Sequence, residues 1–143
     1  MAIEHFESFS IVSDSVDIKV DMSRINGNLD KAQYWLDNQI MTDMLPYMPM
    51  DTGMLQATTQ LQSRPLAGTG IVIAAAAPYG RFQYMGKVMV DPETNSPWAK
   101  KGAKKVVTDR PLKYSNPDAA PMWFEKAKDI HGRSWVDGVQ NRV

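Results

Sequence analysis

The chain has no cysteine, which excludes disulfides, thiolate catalysis and cysteine-based zinc sites. Two histidines, His5 and His131, leave little for a histidine metal site, and no cofactor is expected. No apolar run approaches the roughly 18 residues that cross a bilayer, so no membrane partner is expected. The opening Met1-Ala2-Ile3-Glu4-His5 lacks the basic and then apolar pattern of a secretory signal, and the expectation is synthesis in the cytoplasm. A phosphate-cradling glycine loop, a dinucleotide fingerprint and a histidine-paired nucleophile are also missing from the sequence. With so few groups able to do chemistry, the chain is expected not to be an enzyme.

What is present is ordinary globular material. The 143 residues are 43% hydrophobic and 22% charged, enough for one domain, residues 1–143, with a real core. Net charge is zero, but its distribution is not even. Residues 1–60 carry three Lys/Arg against nine Asp/Glu, and residues 61–143 carry thirteen against seven. Two readings follow: copies of the chain attract head to tail, or the halves neutralise each other within one molecule.

Periodicity assigns the elements. Residues 6–22 partly alternate, with Val16, Ile18, Val20 and Met22 on one face, and read as a strand or arm. Ile25, Leu29, Ala32, Leu36 and Ile40 recur three or four apart and predict a helix over residues 24–45, ending before Pro46. Its opposite face, with Asn28, Lys31, Asp37 and Asn38, is expected in solvent. Residues 46–53 form a turn with two prolines and Gly53. The Thr-rich residues 55–63 suit an exposed strand, and Gly68-Thr69-Gly70 suits a hairpin turn into a central strand, Ile71-Val72-Ile73-Ala74. Residues 79–84 read as a short helix or irregular turn planting Phe82 or Tyr84 in the core, with Tyr79 in the same aromatic segment. Residues 91–117 read as a long loop, and loops beyond about 12–15 residues are usually functional or disordered. A last helix follows over residues 120–136, with Phe124, Ala127, His131 and Trp135 along one stripe. The elements add up to an α+β chain, with an N-terminal helix over residues 24–45, a C-terminal helix over residues 120–136 and an antiparallel sheet between them.

Three constellations could carry function. Asp51-Thr52-Gly53 is the signature triplet of aspartic proteases, in which two aspartates share a proton; one copy would act only in a homodimer. Met54 follows the triplet and a proline-rich turn precedes it, unlike the protease pattern, so the alternative role of turn or helix cap is preferred. Asp51→Asn keeps a capping acceptor and would destroy a protease dyad, so the substitution separates the two readings. Trp98, Lys100, Lys101, Lys104, Lys105, Arg110, Lys113 and Tyr114 make the long loop basic and aromatic. That composition fits a solvated loop, a contact with an acidic protein surface, or DNA. Finally, Met41, Met44, Met48, Met50 and Met54 supply adaptable core and interface filler, and His131 reads as a core or interface histidine rather than a metal ligand.

Several segments in order resemble a known family. Pro49-Met50-Asp51-Thr52-Gly53-Met54-Leu55, then Ala77-Pro78-Tyr79-Gly80-Arg81-Phe82-Gln83-Tyr84-Met85-Gly86, then the basic run from Pro97 to Lys105 with Asp109-Arg110-Pro111-Leu112-Lys113-Tyr114, then Ala120-Pro121-Met122-Trp123-Phe124 are similar to segments of minor capsid and tail-completion proteins of tailed bacteriophages. The resemblance covers roughly residues 24–138. It implies helices packed on the antiparallel sheet and a structural virion protein of the neck, a ring subunit connecting the DNA-filled head on its portal side to the tail. The partners it implies are further copies of the chain, with a homohexamer favoured over a dodecamer, and neighbouring neck proteins: a stopper or adaptor, and the tail terminator or tail tube. A DNA-contacting capsid accessory role is the alternative, and the basic loop is expected to contact protein in preference to DNA.

Overall fold

A computed structural model describes residues 3–50, 53–76 and 80–143. The alternation near the N-terminus folds back on itself at Asp14-Ser15, giving a hairpin of β1 (Phe9–Ser13) and β2 (Val16–Val20). Phe9 opposes Val20, Ile11 opposes Ile18 and Ser13 opposes Val16. Because side chains alternate across a strand, this register gathers the apolar residues of both strands on one face.

The helix expected over residues 24–45 is α1 (Ser23–Met44). One turn of 3-10 helix, Leu45–Tyr47, follows it with Pro46 in its first turn, where the missing N–H costs nothing. The buried face of α1 is Ala32, Gln33, Asp37, Met41 and Met44, a rotation from the predicted stripe. Ile25 is exposed, and Asp37, expected in solvent, is 4% exposed.

The predicted meander does not form. Residues 55–63 are helical, within α2 (Met54–Ser63), because Met, Leu, Gln and Ala are good helix formers that outweigh two β-branched threonines. The residues predicted as a central strand, 71–74, belong to no sheet. They lie beside α2, whose side chains supply hydrogen bonds in place of a neighbouring strand. Ser63 Oγ accepts from Ile73 N–H at 3.1 Å and donates to Ile73 C=O at 3.2 Å, and Ala76 N–H donates to Thr59 Oγ1 at 3.2 Å. Thr59 and Ser63 are four residues apart, so both point from one helix face. Gly68-Thr69-Gly70 is a turn, but it joins no strands. Asp37 Oδ2 on α1 accepts from Gly68 N–H at 2.8 Å and Gly70 N–H at 2.9 Å, and Gln33 Nε2 donates to Oδ1 at 2.8 Å. Both glycines have positive φ, +93° and +78°, which aims the two N–H groups at one carboxylate.

The aromatic segment yields a short helix, α3 (Gly80–Met85), which Gly86 closes at φ +68°. Next, β3 (Lys87–Val90) pairs antiparallel with β4 (Val106–Pro111) through an irregular register between Lys87 and Met89. The segment read as one loop over residues 91–117 thus contains a strand, whose mixed composition of Val, Thr, Asp and Arg hid its period. The last helix, α4, spans Trp123–Gln140, starting three residues later and ending four residues later than expected. The class is α+β, with an N-terminal and a C-terminal helix and two small antiparallel sheets.

The core lies where α4 crosses α1. Met41, Met44, Met48, Trp123, Ala127 and Trp135 form one buried cluster. Trp123 is fully buried; its Nε1 donates to Ala74 C=O at 2.7 Å, and Tyr84 meets its ring edge-on at 4.7 Å. Trp135 Nε1 donates to Asp43 Oδ2 at 2.6 Å, tying the far end of α4 to α1. Further along, the Trp35 indole lies so close to Gly138 that a Cβ there would overlap the ring, and Arg142 caps the indole at 3.9 Å. Gly138→Ala therefore gains about 1 kcal/mol of helix propensity but must displace a tryptophan, at roughly 1–3 kcal/mol. We expect a lower melting temperature; an unchanged or raised one would show that Trp35 yields freely.

Candidate interaction surfaces

The residues singled out in the sequence fall in three regions. Asp51, Thr52 and Tyr79 lie outside the described residues. Gly53 directly precedes α2, with φ +78°, and its C=O accepts from Ala57 N–H at 3.0 Å. Of the aromatic segment, Tyr84 is the one that packs on the core, while Phe82 is half-buried. Burial pushes the Tyr84 hydroxyl above its ordinary pKa, and the negative charge of Glu125 adds to the shift. Of the clustered methionines, Met41, Met44 and Met48 are core, whereas Met50 and Met54 are exposed.

The basic segment divides in two. Its C-terminal part is docked: Tyr114 OH donates to Gln83 C=O, Ser115 Oγ to Met50 C=O at 3.0 Å, and Asn116 Nδ2 to Pro46 and Met48 C=O at 3.1 and 3.2 Å. Burial raises the Tyr114 hydroxyl's pKa, so it remains a neutral donor. Ala120 N–H donates to Tyr47 C=O, and Met122 N–H to Tyr84 C=O. These bonds bring residues 114–122 onto the proline turn and α3, and set the start of α4. Pro121 packs so tightly on Gly86 that a side chain there would collide with it. His131 meets the Tyr47 hydroxyl at 3.2 Å, a packing position beside the core.

The N-terminal part of the segment, by contrast, is turned outward. Trp98 is 88% exposed, and Lys100, Lys101, Lys104 and Arg110 are exposed, with Lys105 half-buried. Among the described residues none of these cations has a carboxylate partner; the two ion pairs there are His5–Asp30 and Lys19–Asp17. Sequence reasoning thus grouped Tyr114 with residues whose surroundings differ from its own.

Two further surfaces were missed in the sequence. Between α1 and α4 an open groove of about 440 Å³ is lined by Leu36, Ile40, Phe124, Trp135, Val136 and Val139. Leu36 and Ile40, expected in the core, are half-buried against it and also form part of this groove wall, with Asp37 buried beside them. The second surface is the β1–β2 hairpin, on which Phe9, Ile11, Val12, Val16 and Ile18 are each about half exposed or more. The hairpin is fastened at its base. Asn26 exchanges two 2.8 Å hydrogen bonds with the Phe6 backbone, and Ser8 Oγ accepts from Met22 N–H at 2.8 Å. Asp21 accepts from Ser23 N–H at 2.9 Å, and that bond holds its carboxyl below the usual value. A depressed carboxylate pKa stabilises the folded junction above the ordinary value near 3.8, and this contribution is lost as pH falls through the lowered one.

Among the described residues no group of three or more His, Asp or Glu could hold a metal ion, and no helix is long and apolar enough to cross a membrane. Exposed apolar and basic surfaces around a methionine and tryptophan core suit contact with other proteins. No curated protein and no solved structure matches the chain. A family model described as minor capsid protein matches residues 10–142, a span that takes in nearly all of the β1–β2 hairpin, the basic segment and α4. The chain thus belongs to the phage minor capsid protein family, and its place is in the virion as a structural component.

Proposed function

We propose that the chain is a ring subunit of the phage neck, a connector between the portal side of the DNA-filled head and the tail. Its work is contact and not catalysis. The observation that carries this reading is the amount of apolar surface left exposed on the β1–β2 hairpin and around the basic segment: Phe9, Ile11, Val12, Val16, Ile18, Trp98, Val106 and Val107. Solvent-exposed aliphatic and aromatic residues on a hairpin and beside a cation-rich loop are a liability for a free monomer. They become useful when an assembly covers them. Family membership supports the structural role, and the neck position is the reading that the segment-by-segment resemblance to tail-completion proteins suggests.

Copies in a ring meet through unlike patches, because a rotation other than two-fold brings different surfaces together. A homohexamer matches a six-fold tail below the portal. The other partners are a stopper or adaptor ring on one side and the tail terminator or tail tube on the other. The outward part of the basic segment, from Trp98 to Arg110, is the surface assigned to protein contact; DNA contact is the outcome to be tested against it. Replacing Lys100, Lys101, Lys104 and Lys105 with Ser should give heads that package DNA and fail to retain tails. Normal head–tail joining would remove the segment from the interface, and tailed particles that leak DNA would move it to the genome side.

A further inference from the structure

We propose that the β1–β2 hairpin of one copy docks, apolar face inward, on the basic β3–β4 hairpin of the next copy. The inference rests on the ring reading above and names the surfaces that close the ring.

The register of β1–β2 places Phe9, Ile11, Val16, Ile18 and Val20 on one face, and the first four are 49–55% exposed. No residue from 9 to 20 makes a hydrogen bond outside the hairpin among the described residues, apart from the base fastened by residues 5–8 and 21–30. A lone two-stranded hairpin is at best marginally stable in water, and one with an uncovered apolar face calls for a cover.

Charge decides what covers it. Residues 4–21 carry five Asp/Glu and one Lys, so two such hairpins laid face to face would repel. A two-fold pairing of like hairpins is therefore disfavoured, and the cover must be basic. Residues 98–113 carry six Lys/Arg and one Asp. They also present apolar side chains, Trp98, Val106 and Val107, at 88%, 47% and 45% exposure. Neither cluster is neutralised by the other within one chain: both ion pairs among the described residues lie in the acidic half. Two surfaces of opposite charge, each with exposed apolar residues and each unpartnered at home, form the complementary halves of a heterologous contact. Long-range attraction steers the approach, and apolar burial holds the contact.

The absence of cysteine makes a clean test available in assembled particles. Ile18→Cys and Val107→Cys are introduced singly and together, and a short bis-maleimide is applied. The double variant should give a ladder of covalent multimers, and each single variant should stay a single band. Dimers from Ile18→Cys alone would overturn the proposal in favour of like hairpins pairing. A double variant without a ladder, in particles that keep the chain in the neck, would overturn it and leave the neck reading standing. A ladder from particles whose neck lacks the chain would do the reverse. A second route touches only surface charge. Lys104→Glu with Lys105→Glu should abolish the ladder, and adding Asp14→Lys with Asp17→Lys to the same chain should restore it. Failure of that restoration would contradict the pairing.

Discussion

Trp123→Ala should be the most damaging single substitution in the chain, lowering stability by roughly 3–5 kcal/mol and the melting temperature by roughly 10–20 °C. The indole is fully buried, it is the element of α4 that reaches both Tyr84 and Ala74, and its loss opens a cavity between α1 and α4. Against a total of about 5–15 kcal/mol for an ordinary domain, that loss leaves a marginal fold. Trp123→Phe separates the two causes. It keeps an aromatic ring but deprives the Ala74 carbonyl of its donor, at about 1–3 kcal/mol. Equal melting temperatures for the two variants would show that the hydrogen bond, and not the ring volume, is what matters.

Asp37→Ala comes second, with an expected loss of about 3–5 kcal/mol, because two backbone donors lose one charged acceptor and remain partly buried. Asp37→Asn should be milder, at roughly 1–2 kcal/mol: an amide oxygen can still accept from Gly68 and Gly70, and Gln33 can turn its own oxygen to the new NH2 group. Thermal melts order the three proteins. Hydrogen exchange at the Gly68 and Gly70 amides locates the effect, since they should exchange faster in Asp37→Ala while α4 is little changed. Wild-type exchange at those amides would mean that the turn holds its shape without the carboxylate.

Asp37 also shows where sequence reading met its limit. A carboxylate on a helix is normally a mark of the solvated face, and only the later glycine pair, 31 and 33 residues on in the chain, makes it an inward residue. With Asp37 turned inward, the buried face of α1 is rotated toward Gln33, Asp37 and Met41, while Ala32 stays buried and Leu36 and Ile40 are half-buried against the core. The two long helices were legible because their apolar spacing persists over several turns. Residues 55–63 were not, because Thr58 and Thr59 imitate strand composition in a segment whose other residues favour a helix. Residues 71–74 join no sheet, and the hydrogen-bond partners of Ile73 and Ala76 are Ser63 and Thr59, which no strand pattern announces.

The candidate surfaces were legible in part. The basic cluster stands out in one dimension, and in its outward half Trp98, Lys100, Lys101, Lys104 and Arg110 are exposed. Tyr114 does not belong with it, because the docking of Ser115 and Asn116 on the proline turn depends on residues more than sixty positions earlier. The apolar face of the first hairpin was visible as alternation in Val16, Ile18 and Val20. That it is uncovered is a property of the packed molecule, since the same alternation describes a strand laid on a core.

A symmetry-resolved reconstruction of the virion's neck, with this chain traced in it, should show six copies in a closed ring between portal and tail tube. A neck without the chain, and copies found elsewhere on the capsid, would mean that it is not a neck subunit.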